Sequence, residues 1–322
     1  MHDPFAAILG DSDAAVEMRA FGRLAARVDA PVLLTGESGT GKGILAHAIH
    51  RTSARAAYPF VAVNCAGVPA SLFESEFFGY VRGAFTGAVQ ARRGLLEQAH
   101  RGSLFLDEVG ELSCGLQAKL LTALELGEFR RLGAESTVRT DARLIAATSA
   151  DLEQAVQRGD FRIDFYHRLL VLSFRLPPLR DRGADIVLLA RHYLECFARQ
   201  HHRPVCALHE STLQTLQRLA WPGNVRQLAH TIEAATLVCD SAVLMPEHLP
   251  QRLLTDNIDG DVAAPRYSFF GGRAAERDRI LAALRKHRGN RTRAARALGM
   301  ARNTLRARIA ALRIDEHDAG AE

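Results

Sequence analysis

Two stretches of this sequence hold residue types at spacings suited to phosphate chemistry. Gly36-Glu37-Ser38-Gly39-Thr40-Gly41-Lys42-Gly43 sets three glycines ahead of a lysine. Glycines let successive backbone N–H groups turn toward one anion, a helix N-terminus favours negative charge, and the lysine reaches the terminal phosphates. Pro31-Val32-Leu33-Leu34-Thr35 before the run reads as a short buried strand, and residues 43–50 after it as a helix. That order, strand then glycine loop then helix, is the context a P-loop requires. The strict pattern closes on Ser or Thr to touch magnesium, whereas here Gly43 stands in that place.

The second stretch is Ser103-Leu104-Phe105-Leu106-Asp107-Glu108. Four residues of buried strand ending in two carboxylates put charge at the C-terminal edge of a sheet, where open α/β sheets bind ligands. Asp107 suits magnesium, held through water, and Glu108 suits a base that polarises a water for attack on the γ-phosphate. Downstream of a P-loop, the pair predicts hydrolysis of ATP with Mg²⁺ as cofactor.

The elements that must position these groups follow from periodicity. Residues 13–27 carry apolar positions at helical spacing, and strand-like runs recur at 59–63, 103–106 and 142–147, with helical patterns between them at 43–50 and 116–126. Such alternation predicts an α/β domain with a parallel sheet covered by helices. After Pro177-Pro178 the strands are expected to stop, leaving helices over 185–200, 210–220 and 225–238 as a smaller helical subdomain. Residues 249–272 are polar, contain Gly and Pro and lack a period, which reads as a linker.

Charge is unevenly placed. From Gly271 onward 13 Arg or Lys face 6 Asp or Glu, a net of +7, while the whole chain is +5, so residues 1–270 carry −2. A basic terminal segment predicts a polyanion partner. Arg291-Thr292-Arg293-Ala294-Ala295-Arg296-Ala297-Leu298-Gly299 and the residues after it read as helix, turn, helix. Arg302, Asn303, Thr304 and Arg306 open the second helix, the place from which base edges are read, while Arg293 and Arg308 suit backbone contacts to phosphate. Five scattered cysteines, no signal peptide and no apolar run long enough to span a bilayer predict a cytoplasmic protein with no membrane partner.

Gly83-Ala84-Phe85-Thr86-Gly87-Ala88 is a loop of small residues around one aromatic and one hydroxyl side chain. Set between a P-loop and an acidic strand, it resembles the signature of the sigma-54-dependent transcription activators, a branch of the AAA+ ATPases. The likeness runs over residues 9–249 and resumes at the C-terminus, which resembles a Fis-type helix-turn-helix. It implies an AAA+ α/β ATPase subdomain over 1–176, a helical lid subdomain over 177–249, a linker over 250–272 and a small all-α DNA-binding domain over 273–322. Residues 83–88 would contact sigma-54 RNA polymerase, and the C-terminal domains would bind double-stranded enhancer DNA as dimers. The ATPase would form a homo-oligomeric ring, a hexamer in this family.

Further roles come from the same likeness. Asn64 would restrain Glu108 until nucleotide engages. Arg162 and Arg168 would be arginine fingers for a neighbour's ATP, Thr148 would belong to sensor I and Arg226 to sensor II. Residues 36–43, Asp107, Glu108, Thr148 and Arg226 form the expected nucleotide set. Because few residues precede the ATPase-like region, the resemblance is to the short form without an N-terminal regulatory domain, which leaves two routes of control open, a separate repressor protein or expression level. The chain departs from the family at Gly43, at Ser149, where Asn is common, and at Tyr80-Val81-Arg82, where His-Glu-Lys is usual. Two other readings predict different features: a DNA-binding regulator with a vestigial ATPase fold would have lost Lys42 or Glu108, and a remodeller of other clients would carry a different loop.

Overall fold

The computed structural model describes residues 3–66, 69–250 and 253. Backbone contacts divide the chain into two units, Met1–Gly260 and Asp261–Glu322. The expected helix-turn-helix, with Arg293, Arg302, Asn303, Thr304, Arg306 and Arg308, lies outside the described residues, as does all of the expected linker but residues 250 and 253.

Helix α1 (Asp13–Ala26) begins where the Ser12 hydroxyl accepts the Ala15 N–H at 3.2 Å. Strand β1 (Val32–Thr35), α2 (Lys42–Thr52), β2 (Phe60–Asn64) and α3 (Ala70–Phe78) follow. A small excursion then leaves the sheet: β3 (Gly79–Tyr80), β4 (Arg92–Arg93) and the single turn α4 (Leu95–Gln98). The chain returns through β5 (Ser103–Asp107), α5 (Cys114–Leu126), the β6 (Glu128–Arg130) and β7 (Thr137–Arg139) hairpin, and β8 (Arg143–Thr148). Helices α6 (Leu152–Arg158) and α7 (Ile163–Leu169) lead to β9 (Leu172–Arg175).

The main sheet has the order β2-β5-β8-β1-β9 with every pairing parallel. Alternate residues of the inner strands feed two separate cores. Val32, Leu34, Phe105, Ile145 and Ala147 pack with Phe5, Met18, Leu45 and Ile49 on one face. Leu33, Leu104, Leu106, Leu144 and Ala146 pack with Leu116, Leu120, Phe161 and Phe165 on the other. Helices on both faces explain why these strands are apolar throughout rather than alternating with polar residues. The edge strand β9 alternates half-buried and exposed positions, and its Ser173 and Arg175 interrupt any apolar run.

Past Pro178 come α8 (Gly183–Gln200), β10 (Ala207–Leu208), α9 (Glu210–Arg218), α10 (Asn224–Val238) and β11 (Val243–Leu244) around a third core built on Trp221, Leu189, Leu228 and Ile232. The expectation that strands stop at Pro177-Pro178 is corrected by β10 and β11, which pair in parallel over two residues. A pair so short carries no periodicity. Asp185 ties this helical layer to the start of the chain, accepting from Asp11 N at 2.8 Å, Ser12 N at 2.9 Å, Ser12 Oγ at 2.6 Å and Arg182 Nε at 2.9 Å. Burial works against its ionisation, but the Ser12 hydrogen bonds and the Arg182 guanidinium hold the carboxyl below its usual range. Among the described residues no helix is long and apolar enough to cross a membrane.

Candidate functional site

The glycine loop leaves β1 and enters α2 with Gly36, Gly39 and Gly41 at φ +139°, +80° and +105°. These left-handed angles favour glycine, and two of the positions are also crowded. A Cβ on Gly36 would stand 2.7 Å from the Leu176 carbonyl oxygen, and one on Gly39 only 2.4 Å from that of Gly223. Turning N–H groups toward a ligand turns carbonyls the other way, where each needs a donor. Lys42 Nζ donates to Gly36 O at 2.7 Å and Glu37 O at 3.2 Å, and Thr40 Oγ1 donates to Glu37 O at 2.9 Å. Asn224 Nδ2 reaches Ser38 O at 3.0 Å, and Val225 N reaches Gly39 O at 3.1 Å. Gly43 is exposed, the nearest group to a Cβ there being the Phe105 ring at 3.9 Å, so a side chain would fit where none is present.

Beside the loop, β5 ends in the acidic pair. Lys42 Nζ is 3.7 Å from Glu108 Oε1, and Lys42 is only 6% exposed. Burial pushes its ammonium below the ordinary lysine value, with Glu108 and Asp107 opposing. Burial and the adjacent Glu108 charge together raise the Asp107 carboxyl, against the pull of Lys42. Lysine and both carboxylates thus converge at the C-terminal edge of the sheet.

Glu108 has φ +54°, an uncommon angle for a residue with a side chain and a frequent mark of a functional position. Its Oε2 accepts from Ser149 N and from Ser149 Oγ, both at 2.8 Å. This corrects the expected pairing of Asn64 with Glu108: Asn64 Oδ1 instead accepts the Ala66 N–H at 2.9 Å in a local turn. β5 lies between β2 and β8, so residues at the ends of both neighbours compete for Glu108, and in this structure the β8 side holds it. Thr148, at the end of β8, sits directly before Ser149. It is fully buried, and its hydroxyl accepts from Ala150 N at 3.0 Å, while the bonds to Glu108 come from Ser149. Substituting Ser149→Ala keeps the main-chain bond and removes one of about 1 kcal/mol. Turnover is expected to fall roughly fivefold with nucleotide affinity unchanged, as steady-state kinetics beside a binding titration will show.

The helical layer closes over the loop. Glu37 takes two bonds from Arg180, at 3.0 and 2.7 Å, and one from Asn224 Nδ2 at 3.1 Å. The Arg180 guanidinium, with help from Asn224, holds the Glu37 carboxyl below its usual range in spite of partial burial. Glu37 therefore serves the lid side of the loop rather than the phosphate side. Arg226 Nη1 donates to Ser38 Oγ at 2.9 Å, which places this expected sensor II arginine against the loop. Asn224 and Arg180 were not among the residues expected at the site. Asn224 follows Gly223 in a turn-prone pair, and its φ of +50° is an angle Asn tolerates better than most residues; that was the available signal.

The two expected fingers lie elsewhere. Arg162 is the N-cap residue of α7, and its guanidinium pairs with Asp164 through bonds of 3.0 and 2.6 Å. Arg168, in the last turn of α7, lines a cleft of about 300 Å³ with Asp29, Arg55, Asp141 and Arg143, where β1 and β8 begin. The P-loop stands at the opposite ends of those strands. Both arginines are exposed, and the structure brings neither to the lysine and carboxylates of its own chain.

Residues 83–88 form the tip of the excursion carried by the antiparallel pair of β3 and β4. The turn closes through Gly83 N to Ala88 O at 2.9 Å and Ala88 N to Phe85 O at 3.0 Å, with Gly83 and Gly87 at φ +83° and +105°. Ala84 is partly buried and Ala88 points inward, while Thr86 is exposed. Phe85 is 46% exposed, its ring edge-on to Tyr80 at 5.0 Å. The base of the excursion leans on the β6–β7 hairpin through Val81 N to Leu132 O at 3.1 Å and Leu132 N to Gly79 O at 2.9 Å.

Comparison with known proteins agrees with this layout. Residues 8–175 match the sigma-54 interaction domain, residues 180–265 an AAA+ ATPase lid domain, and residues 273–312 the bacterial regulatory proteins of the Fis family. The chain is 42% identical to the DNA-binding transcriptional regulator NtrC of Escherichia coli K12, over 95% of this chain and 70% of that protein. It is 44% identical to the Nif-specific regulatory protein of Azotobacter vinelandii, over 91% of this chain and 56% of the relative. Among solved structures, NtrX of Brucella abortus in complex with ADP superposes with a TM-score of 0.72 at 29% identity, covering 96% of this chain and 70% of that one. An acidic strand beside a P-loop, a lid closed on that loop, the 83–88 tip and these matches lead to one conclusion: the chain belongs to the sigma-54-dependent transcription activators, AAA+ ATPases with a Fis-type helix-turn-helix.

Proposed function

We propose that this protein binds enhancer DNA upstream of a promoter and uses ATP hydrolysis to convert closed complexes of sigma-54 RNA polymerase into open ones. The observation that carries the reading is the convergence of Lys42, Asp107 and Glu108 beside the glycine loop, with Lys42 3.7 Å from Glu108. In this reading the triphosphate replaces the loop carbonyls as the partner of Lys42 and takes the N–H groups of residues 36–43. One carboxylate completed by phosphate oxygens and waters is a donor set that suits Mg²⁺. Asp107 is the residue that would hold it; the ion would draw charge off the phosphates, and Gly43 contributes no ligand. Glu108 accepts the proton of the attacking water while Ser149 fixes its carboxylate.

Arg162 and Arg168 complete the site of a neighbouring molecule, which makes the active form a ring, a hexamer in our reading. Their separation from the P-loop of their own chain supports this assignment. The tip residues Phe85 and Thr86 grip sigma-54, and Arg293, Arg302, Asn303, Thr304, Arg306 and Arg308 hold the DNA with domains paired as dimers. Residues 1–176, 177–249, 250–272 and 273–322 would then be engine, lid, linker and anchor. The protein works in the cytoplasm, where its partners are.

A mixing experiment tests the shared site. Glu108→Gln and Arg168→Ala proteins, each inactive alone, are expected to recover ATPase activity when combined, because some interfaces then pair an intact Glu108 with an intact Arg168. Silence of every mixture, with both variants assembling, would remove the finger assignment.

A further inference from the structure

We infer that Asn224 is a positioning residue for nucleotide binding: from the lid, it fixes the glycine loop in the conformation that receives phosphate. The inference rests on reading residues 36–43 as the nucleotide site and adds what holds that site in shape.

A phosphate cradle made of N–H groups is only as good as the anchoring of the carbonyls behind it. The loop anchors Gly36 O and Glu37 O for itself, through Lys42 and Thr40. Lys42 must leave its carbonyls to meet a phosphate, so that anchor is lost when ligand arrives. The carbonyls of Ser38 and Gly39 are anchored from the lid, by Asn224 Nδ2 and Val225 N, and these bonds do not compete with ligand. Gly39 backs onto Gly223 O so closely that a methyl group would not fit, which leaves the loop little freedom to slide.

Asn224 is fully buried and adopts φ +50°, and three side-chain bonds, beside a backbone bond from its N–H to Trp221 O, hold it there. Oδ1 accepts Leu179 N at 2.7 Å, and Nδ2 donates to Ser38 O at 3.0 Å and Glu37 Oε2 at 3.1 Å. Leu179 lies in the segment that joins sheet to lid, so one side chain at the start of the lid helix α10 bonds both the loop and the joint. Only an amide offers an acceptor and two donors on one planar group of this size. A carboxylate in its place would keep the bond from Leu179, lose both donors and face the Glu37 carboxylate. A second layer comes from Arg180, whose paired bonds to Glu37 hold the outer side of the loop. Coupling of this kind acts in both directions. If the lid sets the loop, ligand in the loop must steady the lid.

The test uses the full chain, with titrations of ADP and of an uncleavable ATP analogue and with amide hydrogen exchange. Asn224→Asp is expected to weaken both ligands at least fivefold, and adding Glu37→Gln, which removes the facing carboxylate, to recover part of the loss. In the unsubstituted protein, ADP is expected to slow exchange at Leu179 N and Val225 N, a response that a purely structural asparagine does not produce. A loss smaller than fivefold overturns the inference. So does unchanged exchange at those two amides, a readout that stands even if Asn224→Asp does not fold. An unsubstituted chain that binds neither ligand fails the site itself and the inference with it, a result distinct from normal binding without lid coupling.

Discussion

Exchanging Glu108→Gln is expected to leave nucleotide affinity within about twofold and to lower turnover by roughly 10²–10⁴, the usual worth of a positioned general base. That factor corresponds to about 2.7–5.5 kcal/mol of transition-state stabilisation. Affinity is spared because Glu108 forms no part of the loop that cradles phosphate. A glutamine oxygen can also still accept from Ser149 N and Oγ, so the side chain keeps its place at the end of β5. What disappears is the ability to take a proton, together with the 3.7 Å contact between opposite charges at Lys42. Single-turnover measurements with saturating nucleotide separate the two effects, since binding and the chemical step are read apart. Hydrolysis persisting above a tenth of the original rate would remove Glu108 as the base. Loss of binding instead would show that its charge serves to hold Lys42 in place.

The position of Glu108 is legible in the sequence because the acidic pair ends a continuous apolar strand. The same holds for β1, the glycine loop and α2, where a local pattern and its local geometry coincide. Contacts between distant segments are not legible in that way. Ser149 meets Glu108 across 41 residues, Arg180 meets Glu37 across 143 and Asn224 meets Glu37 across 187. Such pairs depend on strand order and on how the lid packs, neither of which leaves a periodic trace. Glu108 shows the problem well: with β5 flanked by β2 and β8, sequence alone favours neither Asn64 nor Ser149, and the positive φ of Glu108 belongs to the arrangement in which Ser149 is bonded. The edge strand β9 escapes for a simpler reason. Only Leu172 and Phe174 pack against a core while Ser173 and Arg175 are exposed, so alternate residues need not be apolar.

Thr86 carries the other large expectation, one in which two activities separate. Thr86→Ala is expected to leave ATP hydrolysis within about twofold while lowering open-complex formation at a sigma-54 promoter by roughly 30-fold or more, the scale of losing a central interface contact of about 2 kcal/mol. Thr86 is exposed at the tip of the excursion, and its backbone turn is closed by bonds between Gly83, Phe85 and Ala88 that the substitution does not touch. The Phe85 ring already spends part of its surface on Tyr80, so Phe85→Ala would disturb the resting tip as well as any partner contact, and its result would be harder to read. The hydroxyl of Thr86 gives the cleaner probe. Promoter melting assayed with the ATPase rate in the same mixture decides the matter, because a tip that only transmits force must fail without slowing the engine. A matched fall in both rates would mean that residues 83–88 belong to the hydrolytic machinery and that sigma-54 is gripped from another surface.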